Sequence, residues 1–342
     1  MSDEENRWKW NEFLEIGNSV HNPQIMRGQV RILEAKRALR IANQLIENDF
    51  IINLSIKDQQ LYKILLPKIA CYLDGSIEVI QVAVEKYFYT RHCKAGLDED
   101  QFKVSYSLKN SGIQTGFTCD ISDGNQTTRY FIKTHQHGPS EDNPKSLKPP
   151  DTKELFIYRF LYYLEIGPDV HFIIPTHGSK FTTYIASKDC HLTLLSHLTN
   201  DTVCMKSLVQ LDLISQILCL RDCTTNYSNC GQVNGKPMIV DFRIERQSGG
   251  YVKSDIIEKF CEGNGEFNYS GLMALTVGVP REEKICILRE SLQTWNLLEN
   301  IDRTLLGMHQ LVQKIVSTGK GDDDLQRYIQ DVKETVKILS QA

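Results

Sequence analysis

The residues of this chain best suited to chemistry lie between Asp222 and Asp241. Asp222 follows a long apolar run, and Asn226 and Asn229 come shortly after it. The Asn234-Gly235 pair with apolar residues on both sides predicts a tight hairpin, which would return Asp241 to the neighbourhood of Asp222. Carboxylate and amide oxygens are the ligands that Mg²⁺ prefers. The segment therefore predicts one carboxylate for a metal ion and one for an acceptor hydroxyl, with a helix end and two polar loops as the alternative interpretation.

Phosphoryl transfer also needs a loop over the phosphates, a cation that contacts them and a group that holds this cation. Lys133 lies near the end of a predicted strand, and Glu154 opens the next predicted helix. Gly112 and Gly116 border a turn whose backbone N–H groups can approach an anion. Each residue also has an ordinary structural interpretation: a solvated lysine at a strand end, an acid favoured at a helix N-terminus, and two hairpin glycines.

The elements that must position these residues follow from the spacing of apolar side chains. Helical periodicity predicts an all-helical N-terminal region, and alternation then predicts strands up to about residue 190. The remainder is mainly helical. The predicted elements are helices Gln24–Asn48, Ser55–Tyr72 and Ser76–Tyr89, strands Lys103–Leu108, Gly116–Ile121 and Thr127–Lys133, helix Thr152–Leu164, strands Phe172–Pro175 and Phe181–Ala186, helix Leu208–Leu220, and helices from Pro280 to Leu339 with an exposed loop at Thr318–Asp324.

This order of elements predicts an α+β fold in three parts. A helical region covers residues 1–98, a β-rich lobe residues 99–190, and a helical lobe with C-terminal helices residues 191–342. Helices packed beside an antiparallel sheet are expected rather than an alternating strand–helix array.

Composition narrows the classes of function. The chain has 342 residues, 41% of them hydrophobic, and a net charge of −4, so there is no clear nucleic-acid signature. No apolar run approaches the ~20 residues of a membrane span, and the N-terminus lacks a signal-peptide core. Ten cysteines without a secretory signal favour a reducing cytoplasmic or nuclear compartment.

The N-terminal helices carry two features that the predicted chemistry does not use. Trp8, Trp10 and Phe13 are expected to anchor the N-terminal arm to the body or to a partner, because exposed aromatic rings are unfavourable. A basic run on the first long helix is interpreted as a solvated face, with a docking surface for an acidic partner as the alternative. Its members are Arg27, Arg31, Lys36, Arg37 and Arg40.

The polar residues, taken in chain order, resemble the protein-kinase-like superfamily. The resemblance covers roughly Lys103 to Arg303 and is similar to the lipid-kinase, actin-fragmin-kinase and aminoglycoside-phosphotransferase branches. The residues that carry it are Lys133 on a strand, Glu154 on the following helix, Arg221-Asp222 with asparagines after it, and Asp241-Phe242.

The resemblance implies a bilobal fold and the cofactors ATP and Mg²⁺. Lys133 would hold the nucleotide phosphates and Glu154 would orient it, under a phosphate loop that contains Gly112 and Gly116. Asp222 would be the catalytic carboxylate. Asn226 or Asn229 would bind Mg²⁺ together with Asp241, and the adenine would sit on a hinge at Ile185–Cys190.

The chain departs from the superfamily pattern at several positions. Leu220 stands where the family has histidine, and Tyr227 stands where it has the metal-binding asparagine. Asp241-Phe242 is followed by Arg243 instead of glycine, and no Ala-Pro-Glu motif follows. Two functions are therefore open: an atypical kinase that phosphorylates a protein or small-molecule hydroxyl, and a pseudokinase scaffold that binds a protein partner through its N-terminal helices.

Overall fold

The structure is a computed structural model of the chain that divides into two compact units. The first unit comprises Met1–Pro150 and Phe172–Ala186, and the second comprises Asp151–His171 and Ser187–Ala342. None of the helices among the described residues has the length and apolar character needed to cross a membrane. The residues described are 2–20, 28–96, 98–108, 115–124, 126–136, 138–139, 149–175, 182–198, 203–223, 226–244, 255–262, 275–315 and 320–342.

Helices begin the first unit, as the sequence predicts. Serine side chains cap two of them: Ser2 accepts from the backbone of Glu5, and Ser55 accepts from the backbone of Asp58. A short 3₁₀ turn, Ile51–Asn53, joins the second helix to the third. The helices are α1 Asp3–Ser19, α2 Gly28–Glu47, α3 Ile56–Asp74 and α4 Ile77–Lys94.

The three helices α1, α2 and α3 enclose an apolar core of their own. Phe13 is fully buried, and its ring centroid lies 5.5 Å from that of Tyr62 on α3. Trp10 stacks on Phe13 with a centroid distance of 5.6 Å. The apolar positions spaced three or four apart along each helix therefore face one another, which is the origin of this layer's stability.

An antiparallel sheet follows the helices. Strands β1 Lys103–Leu108, β2 Gly116–Ser122 and β3 Thr127–Thr134 pair in succession. Ser122 pairs with Thr127 across the predicted turn, where Gly124 adopts a φ of 87° that favours glycine. Helix α4 packs on this sheet.

Two more strands complete the sheet in the order β1-β2-β3-β5-β4. Strand β4 spans Val170–Ile173 and β5 spans Tyr184–Lys188. Both are displaced by two or three residues from the predicted Phe172–Pro175 and Phe181–Ala186. A proline has no backbone N–H for a sheet ladder, so β4 ends before Pro175.

The second unit is mainly helical and contains two small antiparallel sheets. Strand β7 pairs with β10, and β8 lies between β6 and β9. Its elements are α5 Thr152–Tyr163, β6 Thr193–Leu194, α6 Met205–Ile217, β7 Leu220–Arg221, β8 Cys230–Val233, β9 Lys236–Ile239, β10 Arg243–Ile244, α7 Ile256–Glu262, α8 Arg281–Trp295, α9 Leu297–Ile315 and α10 Lys320–Leu339.

The structure thus confirms a mixed α+β chain with a helical N-terminal region and an antiparallel sheet, whereas the division at residues 98 and 190 stays a prediction. The predicted exposed loop at Thr318–Asp324 is wrong from Lys320 onward, because α10 begins there, and Thr318 and Gly319 lie outside the described residues. Asp324 forms an ion pair with the buried Lys153 of α5.

Candidate functional site

The backbone on both sides of β7 is left-handed. Cys219 has a φ of 52° and Asp222 a φ of 68°. Side chains other than glycine adopt this region at a cost on the order of 1 kcal/mol or more, and such residues persist where surrounding contacts enforce them. The predicted helix Leu208–Leu220 is therefore displaced by three residues: α6 spans Met205–Ile217, and Asp222 follows a short strand instead of ending the helix.

The predicted hairpin between Asp222 and Asp241 is confirmed. Strands β8 and β9 pair from Cys230 opposite Ile239 to Val233 opposite Lys236. The two residues of the turn, Asn234 and Gly235, have φ values of 52° and 75°. A turn with positive φ at both central residues matches the right-handed twist of the strands, which explains the Asn-Gly pair.

Asn229 links the two acidic segments. Its backbone carbonyl accepts hydrogen bonds from the backbone N–H of Val240 at 2.9 Å and of Asp241 at 3.2 Å. Its side-chain Nδ2 donates to the backbone carbonyl of Asp222 at 3.3 Å. The pairing of β7 with β10, with Arg221 opposite Arg243, adds a second connection. Asp222 and Asp241 are therefore held in one small region of the second unit.

Asn226 also belongs to this loop, but its side chain forms a hydrogen bond with the backbone. Its N–H donates to the carbonyl of Asp222 at 3.0 Å, and its side-chain Oδ1 accepts from the N–H of Ser228 at 3.2 Å. Of the two asparagines predicted as alternatives, Asn229 is the one that bridges Asp222 and Asp241. Asn226 is exposed.

Asp241 contacts helix α5. Its Oδ1 accepts from the Tyr158 hydroxyl at 3.2 Å and from the N–H of Phe242 at 3.0 Å. The rings of Phe242 and Tyr158 pack together with a centroid distance of 4.5 Å. Tyr158 comes one helical turn after Glu154, which is itself fully buried. The Asp-Phe pair is thus fixed to the helix that carries the predicted orienting glutamate.

Burial and nearby carboxylates shape the ionisation of this region. Burial raises the pKa of Tyr158 well above its ordinary value, and the charges of Asp241 and Glu154 raise it further. The hydroxyl therefore stays protonated and acts as a donor to Asp241. Burial, followed by Cys230 and the two aspartates, also raises the pKa of Cys223 well above its usual range, so this thiol is a neutral filler.

Arg243 pairs with the predicted catalytic residue. Its Nε lies 2.9 Å from Oδ2 of Asp222, and both side chains are partly exposed. Arg243 occupies the position at which the superfamily pattern has glycine. The ion pair neutralises Asp222 in part and restricts its orientation.

Among the described residues, no group of three or more His, Cys, Asp or Glu side chains is arranged to hold a metal ion. The predicted Mg²⁺ ligands are one carboxylate, Asp241, and one amide, from Asn226 or Asn229. A carboxylate has about four lone-pair positions, and the two hydrogen bonds to Oδ1 use part of this capacity. Hard oxygen donors of this kind fit Mg²⁺, which keeps several water ligands and takes one or two from protein.

The remaining predicted residues are distributed over both units. Lys133, on β3, and Gly116, on β2, belong to the first unit; Glu154 belongs to the second; Gly112 lies outside the described residues. Gly116 has a structural role in the sheet, because a Cβ there would lie 2.1 Å from the carbonyl oxygen of Ile132. A close approach to β3 therefore accounts for this glycine without an anion.

Sequence reasoning missed the side chains of Tyr158 and Arg243 as members of this site. A signal for Tyr158 was present, because a residue four positions after Glu154 lies on the same helix face. Arg243 follows Asp241-Phe242 directly, and its partner Asp222 became visible only with the pairing of β7 and β10. Comparisons with family models, curated proteins and solved structures find no match to this chain.

Proposed function

We propose that this protein is a divergent kinase-like phosphotransferase that uses Mg-ATP to phosphorylate a hydroxyl group. The observation that carries the proposal is the arrangement of Asp222, Asn229 and Asp241 within one hydrogen-bonded loop. Phosphoryl transfer depends on positioning and charge stabilisation, which such a loop can supply. The acceptor is a hydroxyl of a protein or a small molecule.

Each side chain has a role in this proposal. Asp222 accepts or positions the proton of the acceptor hydroxyl, as a catalytic carboxylate does. Asp241 and Asn229 supply oxygen ligands to Mg²⁺, which when bound neutralises phosphate charge. Tyr158 keeps Asp241 oriented through its hydroxyl, and the packing of Phe242 fixes the backbone beside it.

The nucleotide contacts belong to the same proposal. In protein kinases the phosphate-binding lysine stands on the third strand and its glutamate partner on the next helix. Lys133 stands on β3 of this chain, and Glu154 stands on α5, the next helix among the described elements. This order supports a bilobal kinase-like fold, with Lys133 on the phosphates and Glu154 orienting it.

A second function, the pseudokinase scaffold, is favoured by one observation. Arg243 holds the carboxylate of Asp222 at 2.9 Å, the group that an acceptor hydroxyl would need. A chain in which this ion pair persists would withhold the carboxylate of Asp222 from an acceptor and would not transfer phosphate. The two functions differ in a single measurable quantity, the rate of phosphoryl transfer.

The test is transfer of the γ-phosphate of Mg-ATP by the purified full chain, to water, to itself and to a panel of hydroxyl acceptors. We expect Asp222→Asn to lower the rate by roughly 10²–10⁴-fold, the usual contribution of an acid–base group. Asparagine tolerates left-handed φ, so this variant preserves the backbone. Asp241→Asn should abolish the Mg²⁺ dependence of ATP binding.

The matched control is Asp302→Asn, which removes an exposed carboxylate from α9. It should leave the rate unchanged. Transfer that survives both Asp222→Asn and Asp241→Asn would refute the assigned roles. No transfer by the wild-type chain to any of these acceptors would select the scaffold.

A further inference from the structure

The three N-terminal helices bring the beginning of α1, the end of α2 and the beginning of α3 to the same end of their layer. The side chain of Asn48, after α2, donates to the side chain of Asn6 on α1 at 3.2 Å. Gln59 on α3 donates to the carbonyl groups of Ile52 and Leu54 at 3.0 Å, which ties the 3₁₀ turn to α3. Residues 2–9, 46–49 and 52–58 therefore form one end of the layer.

Four members of the basic run predicted from the sequence lie on α2, and Arg27 lies outside the described residues. Arg31 lies over the ring of Tyr72, 4.4 Å from its centroid. Lys36 pairs with Glu78 at 3.2 Å, and Arg37 pairs with Glu12. The charges of Lys36 and Arg37 are thus compensated by carboxylates of the same unit, so α2 gives little support to docking of an acidic partner.

Large apolar side chains are exposed at the end of the layer defined above. Trp8 is 60% exposed, Ile46 50%, Ile52 69% and Ile56 77%. They lie on α1, α2, the 3₁₀ turn and α3, which meet at this end. Exposed apolar side chains grouped in this way are typical of a contact surface for another molecule.

The segments that form this end of the layer are also acidic. They contain six acidic and three basic residues, so their net charge is negative at neutral pH. Asp3, Glu4, Glu47 and Asp49 form no salt bridge with any residue that the structure describes. The acidic residues are Asp3, Glu4, Glu5, Glu47, Asp49 and Asp58, and the basic ones are Arg7, Lys9 and Lys57.

We propose that this acidic apolar end, residues 2–9, 46–49 and 52–58, binds a basic amphipathic helix of a protein partner. The isoleucines would cover the apolar face of that helix, and the carboxylates would pair with its lysines and arginines. Trp8 adds a preference for cations, because a lysine or arginine over an indole ring is attracted by it. The proposal does not depend on phosphoryl transfer.

Charge decides between this occupant and others. A second copy of the same end would bring like charges together, and an anionic membrane surface would be repelled in the same way. A basic amphipathic helix can contact both the exposed apolar side chains and the carboxylates of this end. The interaction should therefore weaken as the salt concentration rises.

Trp8 provides the reporter for a test on the full chain. The protein has three tryptophans, and Trp10 and Trp295 are each 5% exposed, so acrylamide quenching reports mainly on Trp8. The probe is a synthetic helical peptide with a leucine face and a lysine face. We expect saturable protection of Trp8 from quenching by this peptide. A peptide with glutamate in place of lysine should give no protection.

Two variants locate the site. Ile52→Ser with Ile56→Ser, and Glu4→Gln with Glu47→Lys, should each weaken binding of the lysine peptide by about tenfold or more. The control Glu282→Gln with Glu283→Lys makes the same change of charge on exposed residues of α8 and should bind as the wild type does. Equal loss in the control, equal protection by the glutamate peptide, or protection of Trp8 by self-association without peptide would each overturn the proposal.

Discussion

The N-terminal layer α1–α3 and the segment Leu220–Ile244 maintain their geometry by different means. In the layer, side chains at helical spacing pack into a core in which Phe13 is fully buried. In the segment, a left-handed Asp222, the amide of Asn229 and the hydroxyl of Tyr158 hold two carboxylates in place. The layer is stabilised by apolar burial, whereas the segment depends on polar contacts and an unusual backbone. Local strain and oriented polar groups are characteristic of functional sites.

The largest expected effect concerns the layer. Phe13→Ala should lower the free energy of unfolding by about 3–5 kcal/mol, because it leaves a cavity between Trp10 and Tyr62. Chemical denaturation followed by circular dichroism measures this change. Trp8→Ala, at an exposed position of the same helix, is the control and should change stability by about 0.5 kcal/mol or less. A similar cost for both would contradict the distinction between core and contact surface.

The next effect concerns Tyr158 and pH. Its folded pKa is raised above the unfolded value near 10, so its contribution to stability is complete below about pH 10 and is lost as the pH rises towards the folded pKa. Tyr158→Phe should lower stability by about 1 kcal/mol at neutral pH, through loss of the bond to Asp241. The variant should also show a smaller decrease in the free energy of unfolding above pH 10. Denaturation at several pH values measures this decrease. An unchanged alkaline slope would show that Tyr158 is not a protonated donor.

Asn229→Ala tests the link between the acidic segments. It removes the donor to the Asp222 carbonyl and should cost about 1 kcal/mol. Asn226→Ala, in the same loop but exposed, should cost less. Thermal unfolding of both variants provides the comparison. A larger loss of stability for Asn226→Ala than for Asn229→Ala would contradict the assignment of the structural link to Asn229.

The smallest expected effect is that of Arg243→Gln. The ion pair with Asp222 is partly exposed, so its loss should change stability by less than about 1 kcal/mol. Its effect on phosphoryl transfer is more informative. A faster rate would mean that Arg243 restrains Asp222, and a slower rate would mean that it positions the carboxylate. Parallel measurement of melting temperature and transfer rate separates these effects from damage to the fold.

The sequence predicts the parts of this comparison that depend on local patterns. Helices α2, α3 and α4 follow from apolar periodicity, and the hairpin at Asn234-Gly235 follows from the demand for positive φ. The residue types give no indication that the backbone of Cys219 is left-handed. The sequence therefore places the end of α6 three residues too late. The contact of Tyr158 with Asp241 joins residues distant in the chain, and only packing of α5 against the segment creates it. Tertiary contacts of this kind are invisible to periodicity.

The central claim is that the segment around Asp222 and Asp241 binds a magnesium–nucleotide complex. The most direct test is the melting temperature of the full chain with ATP, in the presence and absence of Mg²⁺, for the wild type and for Asp241→Asn. A ligand that binds only the folded state must stabilise it. We predict a rise that requires Mg²⁺ in the wild type and disappears in Asp241→Asn. No rise, or the same rise in both proteins, would contradict the claim.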